Sequence, residues 1–430
     1  MNTDKSENES GSAHNDLSWI LTLFGTAVGA GILYLPLQAG LASIWALIFL
    51  SVLVCPLIYF SHKNILLLLV SAKKSQDYSG IAAHSFGNIF GFVIVVIFLV
   101  TFYAVLFSYA VGLNANLGAY LVDLELTRSN WAEGPFLSLL IMLFFAFLHL
   151  IGKKTILRVM SAVSLFLIVF LVSISVYLIP FWDLSAFRRA PSLFSFVDDV
   201  LLVLPILTFS FVFFPAMSSM VAFFRKQEAI LGENTQSRLE GIVLKASVLL
   251  LLFVLLFVYS CIFSLTADEF EYAIRENLNC LTILSSKQGI SPVLASVGSL
   301  VGIAALFTSF VGVLFAVRDS AFEFTVNIAA YFGLKNRILN NRKITDYLIL
   351  GFIFTTLWII TAVNPSVIQI FGVFIAPLVA LFLFILPVVI LIKKNGFQVL
   401  KQPSCLFVLL TGILILFSYE LGTLFKIHHI

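Results

Sequence analysis

Apolar runs long enough to cross a lipid bilayer follow one another along this chain, and they limit its fold more than any other feature. A crossing helix takes about 20 predominantly apolar residues. Eleven such runs can be marked, at roughly residues 18–42, 43–70, 90–120, 135–151, 159–180, 199–224, 242–266, 291–317, 346–363, 366–392 and 404–422. Only 11% of residues are charged and mean hydropathy is +1.07, against about 25% charged in a soluble domain. The reading is an all-α integral membrane protein whose main partner is the lipid bilayer.

Placing the N-terminus inside sorts the Lys and Arg residues about three to one in favour of the inner loops, as the positive-inside rule requires. The basic residues therefore mark topology, and the net charge of +3 gives no reason to expect a nucleic-acid partner. Cys55, Cys261 and Cys405 fall in or beside apolar runs and Cys280 in a loop, a spacing without a disulfide framework or a metal motif. The polar, acidic residues 1–17 read as a disordered cytoplasmic tail. The segment 71–88 reads as a short interfacial helix. The longer loop 267–290 reads either as a solvated linker or as a helix capping an entrance.

Two runs are poor spanning helices. The first contains FGTAVGAGILYLPLQAG, Phe24–Gly40, with Gly25, Gly29 and Gly31 close together. Each glycine costs about 1 kcal/mol relative to Ala in a helix interior. A break at mid-membrane frees peptide N–H and C=O groups, which is tolerated where they line a cavity or meet a ligand. The same glycines also suit close packing of two helices. The second run, 199–224, is interrupted by Pro205 and Pro215, with Ser210 between them. These are the first and sixth spans. In a five-plus-five arrangement they occupy matching positions of two inverted halves, a sequence pointer to a transporter site. The halves are then 18–180 and 199–392, with an outer loop at 181–198 and an eleventh span plus C-terminus in 393–430.

Four stretches, WILTLFGTAVGAGILYLPLQAG (19–40), FSFVFFPAMSS (209–219), FTSFVG (307–312) and AVNPSVIQIFGVFIAPLVALFLFILP (362–387), resemble the hydroxy/aromatic amino acid permeases, particularly the bacterial serine/threonine symporters of the amino acid–polyamine–organocation superfamily. The resemblance covers most of the chain. It implies a leucine-transporter-like 5+5 inverted repeat with an eleventh transmembrane helix and discontinuous helices 1 and 6. It also implies a bacterial inner-membrane location. By resemblance, amides around Ala30 and Gly31 would meet a substrate carboxylate, and carbonyls around Phe209, Ser210 and Phe211 its ammonium. Opposed half-helix ends suit a zwitterion on charge grounds alone. Tyr103 and Tyr109 of the third span are candidates to close on the carboxylate, although aromatic residues there also serve packing. If a serine hydroxyl is bound, Ser210, Ser218 or Thr26 must bind it.

Uphill uptake needs a coupled ion. A proton needs a titratable carrier within the membrane. His62 and His149 fall late in their spans, and Glu420 lies in the eleventh, so none is centred in the first, fifth, sixth or eighth span. Sodium needs oxygens, and the sequence offers Thr308, Ser309 and the Ala305 turn, with the Gly25 and Val28 carbonyls at the first break. In sodium-coupled members of the fold such a set holds the cation. The plain alternative is that both hydroxyls bond to their own helix.

The chain departs from the serine/threonine members at Thr308, where they carry Lys, which favours sodium over a proton. It departs again at Val212, Phe213 and Phe214, where polar side chains are usual, which favours a larger or more apolar substrate. The expectation is a secondary active transporter importing a neutral amino acid by ion symport through alternating access, with Na+ favoured over H+ and no other cofactor. The alternative is a non-transporting sensor or a channel on the same fold. Scattered His residues give no set for an enzyme. Which amino acid is carried, and the oligomeric state, are not written in the sequence.

Overall fold

A computed structural model describes residues 3–72, 78–151, 153–188, 190–231, 235–287 and 289–427. The regular elements among them are helices: α1 Thr3–Ala27, α2 Ala30–Leu41, α3 Ile44–Ser71, α4 Tyr78–Asp123, α5 Pro135–Ile151, α6 Lys153–Tyr177, α7 Leu193–Phe209, α8 Phe214–Leu231, α9 Thr235–Ser264, α10 Ala267–Arg275, α11 Cys280–Ser285, α12 Pro292–Tyr331, α13 Lys335–Asn340, α14 Arg342–Val363, α15 Val367–Ile370, α16 Ala376–Ala380, α17 Leu386–Asn395 and α18 Pro403–Ile427. Two π-helical turns, Phe371–Ile375 and Leu381–Ile385, flank α16, and short 3₁₀ turns fill several loops.

Seven of these helical stretches are long and apolar enough to span a membrane, or eight when the bent pair Asn15–Ala27 and Gly31–Leu41 counts as one crossing. Three shorter apolar helices, Pro135–His149, Leu165–Tyr177 and Pro403–Ser418, lie where the sequence places its fourth, fifth and eleventh runs. The chain is a multi-pass membrane protein. Helix α1 begins at Thr3, so its described backbone is helical from there on, within the stretch 1–17 that the sequence reading gives to a disordered tail. Asp16, at the end of that stretch, accepts a 2.8 Å hydrogen bond from Arg238 of α9.

Local chemistry explains where the helices start and stop. Proline opens α5, α12 and α18, where its missing N–H costs nothing. Gly87, at φ 80°, divides α4 into a short helix from Tyr78 and a long span from Ile89. Asn364 ends α14 in the left-handed conformation, directly before Pro365. Thr266 and Glu269 close α10 with reciprocal side-chain-to-backbone bonds. Each π turn ends two residues before a proline, Pro377 or Pro387. A proline ring collides with the carbonyl four residues back, and widening the preceding turn moves that carbonyl away.

The long helices pack as a bundle. Helix α4 lies along α12, α1 along α9, and α2 against both α7 and α9. The hairpin α10–α11 covers one end of α2 rather than standing out as a linker. Between α1–α2, α4, α7–α8 and α12 the bundle is left hollow.

Candidate functional site

Helix geometry lapses twice along the bundle axis. The first lapse is at Val28 and Gly29, where the axes on either side turn by 56°. The second covers Ser210–Phe213, between α7 and α8, without a comparable bend. At each lapse one helix ends and another starts, and the backbone there leaves the regular ladder: Ile32 N–H bonds Gly29 O, and Phe211 and Val212 N–H bond Thr208 O and Phe209 O, all at 3.2 Å. Apposed helix termini of this kind present partial charges of both signs to whatever lies between them.

The two lapses meet. A Cβ on Gly31 would lie 3.0 Å from Phe209 Cδ1 and 3.2 Å from Ser210 Cα, so only glycine lets the start of α2 approach the end of α7 this closely. A Cβ on Gly29 would fall on Ser309 Oγ of α12. The glycine cluster thus serves two close approaches at once, one to each neighbouring helix.

Beside these contacts lies a cavity of about 640 Å³. It runs along the Ser18, Thr22 and Thr26 face of α1, past Gly25, Val28, Gly29 and Gly31, and between Tyr109 of α4, Phe209 of α7 and Thr308 and Ser309 of α12. No charged side chain is among the described residues that line it, and its polar groups are hydroxyls and backbone. The Ser18, Leu21, Thr22 and Thr26 face is exposed, so the cavity is open toward the N-terminal end of α1.

Further along α2, at Tyr34 and outside the lining, lies a buried polar cluster. The Tyr34 hydroxyl donates to the Asn277 carbonyl at 3.1 Å. Asn116 Oδ1 accepts from the Asn279 backbone N–H and Nδ2, both at 2.9 Å, and from the Thr282 hydroxyl at 2.8 Å. The Asn277 amide donates to Asn364 Oδ1 and the Pro365 carbonyl, both at 3.1 Å, and its Oδ1 accepts from Val367 N–H at 2.8 Å.

The sequence-derived site residues divide among these places. Thr26, Gly31, Tyr109 and Phe209, together with Gly25, Val28, Thr308 and Ser309, all line the cavity. The Thr26 hydroxyl donates to Thr22 O at 2.8 Å, and the Thr308 hydroxyl to Ala305 O at 3.0 Å, so each spends its proton on its own helix and turns lone pairs outward. Ala305 contributes through that carbonyl rather than as a wall of the cavity. Ala30 starts α2 at the lapse.

Others point elsewhere. Tyr103 hydrogen-bonds Thr356 of α14 at 2.5 Å and is not part of the lining. The Ser210 hydroxyl is turned onto Ile206 O at 2.8 Å, and the Phe211 ring is buried away from the cavity. The Phe209 carbonyl already accepts from Val212 N–H at 3.2 Å. Sequence reasoning passed over Thr101 and Val105, which share the Tyr109 face of α4 at four-residue spacing; Phe214 and Pro215, which it noted at the sixth-span break but not as site residues, line the cavity too. Their periodicity is in the sequence, but in an apolar helix it marks a buried face without saying whether that face meets a neighbour or a void. Among the described residues no cluster of three His, Cys, Asp or Glu side chains can hold a transition metal.

The profile of the tryptophan/tyrosine permease family matches residues 15–418. The threonine/serine transporter TdcC of Edwardsiella tarda is 29% identical over 93% of both chains. The inner membrane transport protein YqeG of Escherichia coli strain K12 is 27% identical over 92% of this chain and 95% of its own. The serine transporter SdaC of the same strain is 26% identical over 93% of this chain and 92% of its own.

Proposed function

The chain belongs to the tryptophan/tyrosine permease family, and on that premise we propose that it imports a neutral amino acid across a bacterial inner membrane by ion symport. It is a transporter rather than an enzyme. The observation that carries the substrate class is the uncharged cavity between two interrupted helices. A zwitterion needs a positive and a negative partner, and helix termini supply both without an ionised side chain. A charged lining would instead select a charged solute.

In this reading the chain has a leucine-transporter-like 5+5 inverted repeat with an eleventh helix, and the lapses at Val28–Gly29 and Ser210–Phe213 are its discontinuous helices. The N-terminus is cytoplasmic, so the cavity, open along Ser18, Thr22 and Thr26, faces inward. The α2 N-terminus at Ala30 and Gly31 receives the carboxylate, with Tyr109 of α4 lining the same cavity. The end of α7 receives the ammonium. Thr26 is the hydroxyl placed for a serine or threonine side chain, while the ring of Phe209 leaves an apolar wall that a larger substrate also fits.

Sodium is the favoured coupling ion. Gly25 and Val28 at the end of α1 and Thr308 and Ser309 on α12 line one cavity, and Gly29 touches Ser309. These groups offer oxygen without a titratable side chain, which is the donor set a hard cation takes.

Uptake into proteoliposomes tests both parts. Labelled serine, leucine and tryptophan should compete for one site, and serine counterflow should occur without a gradient, which a sensor cannot perform. Sodium and proton gradients imposed separately should show sodium driving accumulation. Transport of a dicarboxylate or a sugar alone, with no amino acid exchange, would end this reading.

A further inference from the structure

The second lapse is held from outside by a side chain that no part of the transport site uses. His62 of α3 is fully buried. Its ring lies 3.7 Å from the ring of Phe213, nearly parallel to it. Its Nδ1–H donates to Ile58 O at 2.9 Å, which fixes the tautomer and leaves Nε2 as an acceptor. That acceptor receives the Phe213 backbone N–H at 3.2 Å. Phe213 is the last residue before α8, and the next two, Phe214 and Pro215, line the cavity.

We propose that His62 Nε2 is a proton-binding site that latches the sixth-span lapse: unprotonated, it holds the Phe213 N–H and with it the start of α8; protonated, it lets both go. A proton on Nε2 turns the acceptor into a donor aimed at another donor. It also sets a positive charge at the positive end of α8. The proton and the latch therefore compete for one lone pair. An imidazole freed into water binds a proton with a pKa of about 6.5. The released form then gains roughly 30-fold over the latched one at pH 5, and almost nothing at pH 8.

Among the described residues, the other ionisable groups on elements packed against α3 are mostly engaged elsewhere. Lys63 pairs with Glu240 of α9, and Arg238 with Asp16. Arg225 of α8 donates to the carbonyls of Leu69, Val70 and Ala72. Lys393 and Lys394 of α17 bond Ser85 O and Ser71 Oγ. The Tyr78 hydroxyl of α4 donates to Phe382 O, the Cys405 thiol of α18 reaches Asn64, and Asp199 of α7 holds Ser43 N–H. Tyr259 of α9 bonds Ser51, and the described set also holds Cys55 and Tyr59 of α3 itself, Lys245 and Cys261 of α9, Asp198 of α7, Arg188 of the turn 184–188, Tyr34 of α2, and His84, Tyr103, Tyr109, Tyr120 and Asp123 of α4. Lys63, next in sequence, is 32% exposed and its Nζ lies 2.7 Å from Glu240 Oε2.

The latch rests on geometry alone; its consequence for transport rests on the reading given above. Amide hydrogen exchange on the full-length protein in nanodiscs, normalised for intrinsic exchange chemistry, separates the two. Protection at Phe213 should fall at least 10-fold from pH 8 to pH 5 relative to Leu204–Thr208. In His62→Gln, whose side-chain oxygen accepts but does not titrate, the profile should be flat. Equal wild-type protection at both pH values overturns the proposal, and so does an unchanged pH profile in His62→Gln. The wild-type arm decides alone if that variant fails to fold. Serine counterflow at equal pH on both sides should change with pH in the wild type and not in His62→Gln. Absent counterflow with pH-dependent protection at Phe213 keeps the latch and removes the substrate assignment.

Discussion

Three glycines of the first span look alike in the sequence and separate by their neighbours. Gly31 faces Phe209 and Ser210, Gly29 faces Ser309, and Gly25 lines the cavity. Gly31→Ala forces a methyl against backbone of α7 and should lower amino acid exchange at least about 10-fold, since over-packing of this kind costs about 1–3 kcal/mol. Gly29→Ala meets only a side-chain oxygen. It should displace the Ser309 hydroxyl and weaken sodium activation with little loss of folded protein. Gly241→Ala is the control, because nothing lies within 4 Å of its added methyl. It should leave exchange unchanged and raise thermal stability by up to about 1 kcal/mol. Counterflow and thermal melts of the three variants side by side check all of these. His62 is the residue that sequence reasoning set aside: its late place in a span pointed to the interface, whereas packing buries it against the lapse in another helix.

At the scale of elements, the hairpin α10–α11 is the clearest gain over the sequence. Its polar composition allowed a solvated linker, yet it packs on α2 and is tied to Asn364 and Asn116 through Asn277 and Asn279. Asn277 donates and accepts at once across a left-handed turn at φ 56°. Asp in its place would set a charge against the Asn364 and Pro365 oxygens. Asn277→Ala removes three hydrogen bonds, about 2–4 kcal/mol of local stability, and adds strain at the positive φ. The hairpin should then open more often. A thiol reagent should reach Cys280, which is fully buried, at least 10-fold faster than in the wild type. Unchanged labelling would mean that the hairpin is held by its apolar contacts. The helix lapses themselves were legible as Gly-rich and Pro-rich stretches. Their different shapes, one bent by 56° and one without a comparable bend, were not.

For the molecule as a whole, the cavity is exposed at one end, along Ser18, Thr22 and Thr26 of α1. With the N-terminus inside, Thr22→Cys should react with a membrane-impermeant thiol reagent from the cytoplasmic side only. Saturating serine should slow that reaction several-fold by filling the cavity or closing it. Labelling from the outer side alone would reverse the topology read from the Lys and Arg distribution. Sidedness of this kind follows from loop charge, whereas the open end follows from how the bundle is packed.

The sequence by itself determined the solvent, the class and the places of interruption. Burying apolar runs in lipid is a matter of length and composition, and glycine and proline weaken a helix wherever it sits. Tertiary structure alone decided which faces meet. Tyr103 and Tyr109 stand on one helix with the same chemistry, but one bonds α14 and the other lines the cavity. Ser309 reaches the first lapse, and His62 reaches the second, across distances in sequence that no local propensity encodes. A helix carries its periodicity in its own residues; the neighbour that periodicity faces is set by the packing of the whole bundle.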